Sequence, residues 1–264
     1  MEIVNGIILG IVQGLTEFLP ISSSGHLIIM RDFLGIQSDN GLSFDAVLQL
    51  ATTLAVLVYF WKDLWRIFMS FINLLLRKPI ESKDKVMLTA IILGTIPAVF
   101  FGLLLEEKME TVFRNPKLVA GTLIFGALIM YFAEKWSKKD HQLTAKKGLH
   151  IGFYQAIALI PGMSRSGMTI SGGLHVGLNR EEATRFSFIL AFPILLGSGL
   201  KKLLDLSSSG ILDSVGSSLF AGSITAFFVG IFAIHFLIKY LKTHTLNAFV
   251  VYRIVLALLL ILFL

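Results

Sequence analysis

The sequence predicts an all-α integral membrane protein, with six transmembrane helices and two re-entrant helical hairpins in an inverted-topology repeat. Three observations predict it. First, 55% of the 264 residues are hydrophobic and only 15% are charged, where a soluble domain carries about 25% charged residues. That much apolar sequence needs lipid as its solvent. Second, six apolar stretches have lengths near the ~20 residues that cross a bilayer. Third, two further apolar stretches are each broken at their middle by Pro, Ser and Gly.

The six spans cover about 44–61, 86–105, 118–134, 185–204, 217–238 and 246–264. The broken stretches cover about 3–30 and 149–178, and centre on Pro20-Ile21-Ser22-Ser23-Ser24-Gly25 and Pro161-Gly162-Met163-Ser164-Arg165-Ser166-Gly167. Irregular backbone at membrane depth survives only where protein or water satisfies it. Both stretches therefore read as hairpins whose tips line a polar cavity. The absence of cysteine excludes disulfide and thiolate chemistry. A net charge of +6 fits basic loops at a membrane surface and gives no reason to expect nucleic acid as a partner. Residues Met1 to Gly10 lack a basic start, and the apolar stretch contains Glu17, so no cleavable signal is expected.

The two broken stretches resemble each other. A shift of 142 places Gly10, Gln13, Ser22, Ser24, Gly25 and Ile28 on Gly152, Gln155, Ser164, Ser166, Gly167 and Ile170, and Phe44 on Phe186. Further along, a shift of 128 aligns Gly94, Ile96, Ala98, Phe100 and Gly102 with Gly222, Ile224, Ala226, Phe228 and Gly230. This is a unit of one hairpin and three spans used twice. It makes residues 1–264 a single membrane domain with repeat 1 at about 1–134 and repeat 2 at about 149–264.

Basic residues set the orientation. Arg77, Lys78, Lys83 and Lys85 precede the second span; Lys135, Lys138, Lys139, Lys146 and Lys147 follow the third; Lys239 and Lys242 precede the last. Segment 205–216 carries Asp205 and Asp213 and no Lys or Arg, although Lys201 and Lys202 stand just before it. Placing the basic loops in the cytoplasm puts both termini outside. The first hairpin then enters from outside and the second from inside, and the two meet near the midplane.

An ionisable residue inside a membrane segment is costly and marks function by default. Glu17 is one. Gln13 lies one helical turn earlier on the same face, and together they offer oxygens to a hard divalent cation. Ser22, Ser23 and Ser24 follow, then Gly25 and His26, a set containing a nucleophile and a base. Arg165 is the second intramembrane charge, and its fork matches phosphate oxygens. Around it Gly162 and Gly167 permit a tight turn whose N–H groups cradle an anion, and Ser164, Ser166 and Thr169 add hydroxyls. A carboxylate, serines and a histidine from one half, with an arginine and donors from the other, make a phosphate-handling site. A structural pairing of Glu17 with Arg165 is the alternative reading of those two charges.

The segments Gln13-Gly14-Leu15-Thr16-Glu17-Phe18-Leu19-Pro20-Ile21-Ser22-Ser23-Ser24-Gly25-His26 and Pro161-Gly162-Met163-Ser164-Arg165-Ser166-Gly167-Met168-Thr169 resemble the two signature motifs of the bacterial undecaprenyl-diphosphatase family, the bacitracin-resistance type. The resemblance runs through nearly the whole chain. It implies hydrolysis of a polyprenyl diphosphate lipid, undecaprenyl diphosphate, to undecaprenyl phosphate and inorganic phosphate, which recycles the carrier for peptidoglycan precursors. It also implies Mg²⁺ or Ca²⁺ dependence, bacitracin resistance, and a bacterial plasma membrane location with the site facing outward. Carried over, the acidic motif falls on Gln13 and Glu17, the proposed nucleophile on Ser23 with His26 close by, and the phosphate-binding arginine on Arg165; Ser23 either forms a covalent phospho-enzyme or positions substrate while metal-bound water attacks. The first acidic position is Glu in some members and Gln here, so metal binding rests more on Glu17.

Two other functions compete. A polyprenyl-phosphate carrier or flippase would share the inverted repeat and the arginine, without needing a nucleophile or a metal. A different membrane lipid-phosphatase class uses Pro-Ser-Gly-His, near Ser23-Ser24-Gly25-His26, but its second motif would need a histidine at position 171, which is Ser171. Gly121, Gly126, Gly222 and Gly230 suit close helix contacts within or between subunits, which leaves a homodimer open.

Overall fold

A computed structural model describes residues 2–36, 41–111, 116–137, 142–208 and 212–263. All regular structure among them is helical. In order the elements are α1 (Ile3–Phe18), α2 (Ser23–Phe33), α3 (Gly41–Tyr59), α4 (Trp61–Leu75), α5 (Ser82–Thr111), α6 (Pro116–Lys135), α7 (Ala145–Ile157), α8 (Arg165–His175), α9 (Arg180–Ser208), α10 (Leu212–Leu241) and α11 (Asn247–Phe263). Lys138 and Lys139 of the basic loops, and Leu264 of the last expected span, lie outside the described residues.

Among the described residues, four helices are long and apolar enough to cross a membrane, over Ser82–Leu105, Lys117–Lys135, Arg180–Leu204 and Gly216–Leu241. Each holds one expected span, and together they make the chain a multi-pass membrane protein. α11 is apolar but shorter, and α3 qualifies only together with α4, from which it is bent by 88°.

α4 departs from the sequence reading, which ends a span at residue 61 and continues as a loop. The chain turns at Phe60 and begins a new helix with Trp61. Trp61, Trp65 and Phe68 recur at helical spacing, are about half exposed, and stack in sequence with centroids 5.7 Å apart at each step. Leu64 and Ser70 face inward. A helix with one aromatic face and a sharp entry bend suits a membrane surface. In the sequence its own Lys62, Asp63 and Arg66 interrupt the apolar run.

Each broken stretch folds as two short helices around a turn. Pro20 disfavours helical backbone at the residue before it, and Leu19 is accordingly extended. α2 and α8 then start after Ser22 and Ser164, non-glycine residues held at φ +77° and +69°. At eleven residues each, neither α2 nor α8 reaches across a bilayer at 1.5 Å per residue.

α1 packs along α10 and α7 along α5, in both cases through glycine. A Cβ on Gly6 or Gly10 would lie 2.1 Å from the Ser218 carbonyl oxygen or 2.3 Å from that of Gly222. A Cβ on Gly148 or Gly152 would lie 2.5 Å from Ala90 or from the Gly94 oxygen. These contacts obey the two sequence shifts, Gly6 to Gly148 and Gly10 to Gly152 by 142, Ala90 to Ser218 and Gly94 to Gly222 by 128. Gly126, Gly222 and Gly230 all serve contacts inside the chain, against Arg253, Gly6 and Phe18, whereas Gly121 has open space.

The core sits where the hairpin tips meet. Phe18 and Phe188 are fully buried there, edge to face at 5.3 Å, and Phe60 closes the cluster. At the end of α6, buried Glu134 accepts hydrogen bonds from Arg180 Nε (2.8 Å) and from the Leu246 N–H (3.2 Å), tying α6, α9 and the start of α11 together. Gly10→Leu or Gly152→Leu should destabilise by about 1–3 kcal/mol through overpacking. The check is the midpoint of thermal unfolding in detergent, with Gly121→Leu expected to leave it in place.

Candidate functional site

Glu17 ends the last full turn of α1, 4% exposed, and gathers hydrogen bonds from four elements. Its Oε2 accepts from Gln13 Nε2 on α1 at 3.1 Å, from Ser23 Oγ at the start of α2 at 2.9 Å, and from Gln49 Nε2 on α3 at 3.4 Å. Its Oε1 accepts from Arg165 Nη2 at the start of α8 at 2.6 Å. The two hairpins therefore meet at a carboxylate–guanidinium pair, and the pairing weighed in the sequence is present. A buried pair of this kind is weak evidence for stability, because desolvating both charges offsets their attraction.

The pair leaves capacity unused. Arg165 Nε and Nη1 are buried and without hydrogen-bond partners. Buried donors are almost always satisfied, so two orphans on one guanidinium beside a hydroxyl mark a place for an acceptor. Ser23 is half-buried, the first residue of α2, and its hydroxyl already donates to a carboxylate. α2 and α8 both start at this point, where helix N–H groups favour an anion.

The remaining sequence candidates divide. Ser166 Oγ donates to the Leu19 carbonyl at 3.3 Å and stitches the tips together. Ser24 is exposed, with its hydroxyl 3.3 Å from Ser22 Oγ. Ser164 Oγ caps α8, accepting from the Gly167 N–H at 3.2 Å. Gly162 takes φ +93°, where a Cβ would lie 2.0 Å from Thr122 Oγ1, and Thr122 donates to the Pro161 carbonyl at 2.6 Å. Gly167 is buried against Met130 and Ser164. Thr169 is fully buried, its hydroxyl bonded to the Arg165 carbonyl (2.8 Å) and to Ser187 Oγ (2.5 Å). His26 is not brought onto Ser23. Its Nδ1 lies 2.7 Å from the Ser22 carbonyl oxygen and its Nε2 2.7 Å from Tyr252 Oη. The group bonded to the Ser23 hydroxyl is Glu17.

Sequence reasoning missed three participants. Gln49 is a lone amide in an apolar span. Tyr252 holds His26. Arg253, fully buried on α11, donates to five carbonyls: Pro20 (3.4 Å), Thr122 (3.5 Å), Leu123 (3.2 Å), Gly162 (2.8 Å) and Met163 (3.0 Å). The sequence does carry a signal for Arg253, a lone charge in the middle of the final apolar span, by the same rule that marks Glu17 and Arg165.

The fold and site define a class first: a multi-pass helical membrane protein with two converging hairpins and a buried, half-satisfied arginine for an anion. A family model described as bacitracin resistance protein BacA matches residues 6–259. Proteins called undecaprenyl-diphosphatase are similar along their length. That of Corynebacterium striatum is 47% identical, with 98% of this chain and 93% of the relative covered. That of Chlorobium phaeovibrioides is 44% identical, with 100% and 98% covered. That of Elusimicrobium minutum is 43% identical, with 99% and 98% covered. The chain belongs to the bacitracin resistance protein BacA family.

Replacing Arg253 by Met would orphan buried carbonyls at both tips and should cost about 1–3 kcal/mol or more. Amide exchange at the two tips should accelerate more than exchange in the distant α4, which mass spectrometry of labelled peptides will report.

Proposed function

We propose that this protein hydrolyses undecaprenyl diphosphate to undecaprenyl phosphate and inorganic phosphate, which recycles the lipid carrier for cell-wall precursors and confers bacitracin resistance. The observation that carries it is the pair of unpartnered buried N–H groups on Arg165, next to a serine hydroxyl already donating to Glu17. The names of the 43–47% identical relatives and family membership support the same substrate.

In the proposed reaction Arg165 and the start of α8 hold the terminal phosphate, with Ser22, Ser24, Ser164, Ser166, Gly162 and Gly167 shaping the cradle and Thr169 bracing the Arg165 carbonyl. Ser23 Oγ attacks the terminal phosphorus and its proton passes to Glu17. The bond from that phosphorus to the bridging oxygen breaks, and the lipid monophosphate leaves. Glu17 passes the proton it holds to the departing monophosphate. Water then attacks the phosphoserine phosphorus and gives a proton to Glu17, which returns it to Ser23 Oγ as the Ser23–phosphorus bond breaks and inorganic phosphate is released. Positioning and charge neutralisation dominate phosphoryl transfer, and Arg165 supplies both. His26 belongs to the site through the Ser22 turn that precedes the nucleophile.

The donor set fits a hard divalent cation, Mg²⁺ or Ca²⁺. Glu17 is flanked by the amides of Gln13 and Gln49, whose oxygen and nitrogen ends are interchangeable by a flip. Among the described residues no cluster of three His, Cys, Asp or Glu could cage a metal alone, so phosphate oxygens would complete the ligand shell. Glu17 and Gln13 would hold the ion, which when bound neutralises charge on the phosphate.

The proposed layout has α3, α5, α6, α9, α10 and α11 as six spans, with α1–α2 and α7–α8 as re-entrant hairpins of repeats at about 1–134 and 149–264. Positive charge around α4 and α5 favours a cytoplasmic side there, with α4 along that surface, and the site opens outward in a bacterial plasma membrane. A homodimer through the open Gly121 face is compatible with this arrangement. A carrier role without chemistry is the second reading; the converging hairpins favour it, but it leaves the Ser23–Glu17 bond without a use.

Phosphate release from a C55 isoprenyl diphosphate, by purified protein in detergent, is the test. Glu17→Ala and Arg165→Ala should each lower it by about 100-fold or more, and chelator should abolish it. A folded protein that binds the lipid diphosphate, releases no phosphate and moves the lipid across vesicles would overturn hydrolysis in favour of the carrier.

A further inference from the structure

The two hairpin tips are near-copies, yet they are held differently. Ser22 and Ser164 stand at equivalent places, both at positive φ and both immediately before a helix. Such backbone is strained for a non-glycine residue and persists only when its surroundings hold it. Ser164 is held by its own hydroxyl, which accepts the Gly167 N–H. Ser22 makes no such cap, although its hydroxyl, like that of Ser164, lies 3.3 Å from the hydroxyl of the serine two residues on. What holds Ser22 instead is a side chain its duplicate lacks. Position 26 is His, and the matching position 168 is Met.

The polarity of this strut follows from its end. The Ser22 carbonyl only accepts, so His26 Nδ1 carries a proton, and in the neutral ring Nε2 carries the lone pair. Tyr252 Oη lies 2.7 Å from Nε2 and is the donor to that neutral ring. The ring of His26 is thereby engaged at both nitrogens and has no lone pair for Ser23. Tyr252 stands on α11 beside Arg253, which holds the carbonyls of Pro20, Gly162 and Met163. One short stretch of α11 thus reaches the first tip twice, at Pro20 and through His26 at Ser22. Between those anchors and Glu17 lies Ser23, whose direction depends on the torsion at Ser22.

We propose that Tyr252 is a positioning residue, acting through a neutral His26 strut on the strained Ser22 turn that aims the Ser23 hydroxyl at Glu17 and at phosphorus. This rests on Ser23 being the nucleophile of the proposed hydrolysis. It gives His26 a mechanical task and leaves proton acceptance to Glu17.

The experiment compares His26→Asn, His26→Gln, His26→Ala and Tyr252→Phe in the phosphate-release assay with the C55 diphosphate. An Asn amide places an N–H near the Nδ1 position and a Gln amide near Nε2, and neither is a base. The strut predicts that His26→Asn stays within about tenfold of the unsubstituted protein, the scale of one hydrogen bond, while Gln and Ala lose more, in kcat with KM little changed. Tyr252→Phe, which keeps the ring and removes only the hydroxyl, should lose about five- to tenfold in kcat and nothing further when His26 is already Ala. His26→Asn falling about 100-fold or more along with Ala, the scale of a lost general base, would overturn the strut. So would a Tyr252→Phe loss of equal size with and without His26. Glu17→Gln and Arg165→Ala run beside them. Full activity in those two removes the site reading itself and the strut with it, whereas their inactivity beside an inactive, folded His26→Asn removes the strut alone. Thermal unfolding in detergent establishes folding, and if His26→Asn does not fold, the Tyr252→Phe comparison decides.

Discussion

Backbone carbonyls buried away from water must find donors, and in this protein one side chain answers for both broken hairpins. Arg253 spreads its donors over carbonyls of Pro20, Gly162 and Met163 at the tips and of Thr122 and Leu123 on α6. A guanidinium suits this because it has five N–H groups in a plane and stays charged. Gly126 makes room for it, since a Cβ there would lie 2.2 Å from Nη2. Beside the Glu17–Arg165 pair and the Ser166–Leu19 bond, this hub supplies donors that an apolar bundle would otherwise lack.

Once the tips are together, the chemistry follows from unequal satisfaction. Arg253 is spent on backbone. Arg165 is not, since one of its nitrogens meets Glu17 and two have no partner. The same residue type thus plays two roles some residues from the same turn, and what separates them is what remains to be hydrogen-bonded. Glu17 shows the complementary pattern, a carboxylate with three neutral donors on one oxygen and a cation on the other. It is buried enough to hold a fixed geometry and lies against a hydroxyl that can lose its proton to it.

The near-duplication of the chain adds a second lesson. Paired glycine contacts between α1 and α10, and between α7 and α5, follow the same shifts as the sequence similarity. The two turns share their strained serine. The copies diverge where the site needs them to. Position 17 is Glu in the first copy and Leu159 in the second; position 165 is Arg in the second and Ser23 in the first; His26 faces Met168. One framework therefore carries an acid and a hydroxyl on one tip and a cation on the other.

By itself the sequence determined the all-helical, multi-pass membrane class, the places where two apolar stretches break, and the candidates Glu17, Ser23 and Arg165. Each of these leaves a local mark: hydropathy over ~20 residues, Pro and Gly breaking an apolar run, or a charge that lipid would penalise. Tertiary structure decided which partners those residues meet. That Ser23 faces Glu17 and His26 faces Ser22 depends on the torsion of one strained residue, which spacing along the chain does not encode. That Gln49, Tyr252 and Arg253 belong to the site depends on α3 and α11 packing beside hairpins far away in sequence. α4 escaped because Lys62, Asp63 and Arg66 in its first turns interrupt the apolar run, and only its 88° bend from α3 and its exposed aromatic face separate it from the span before it.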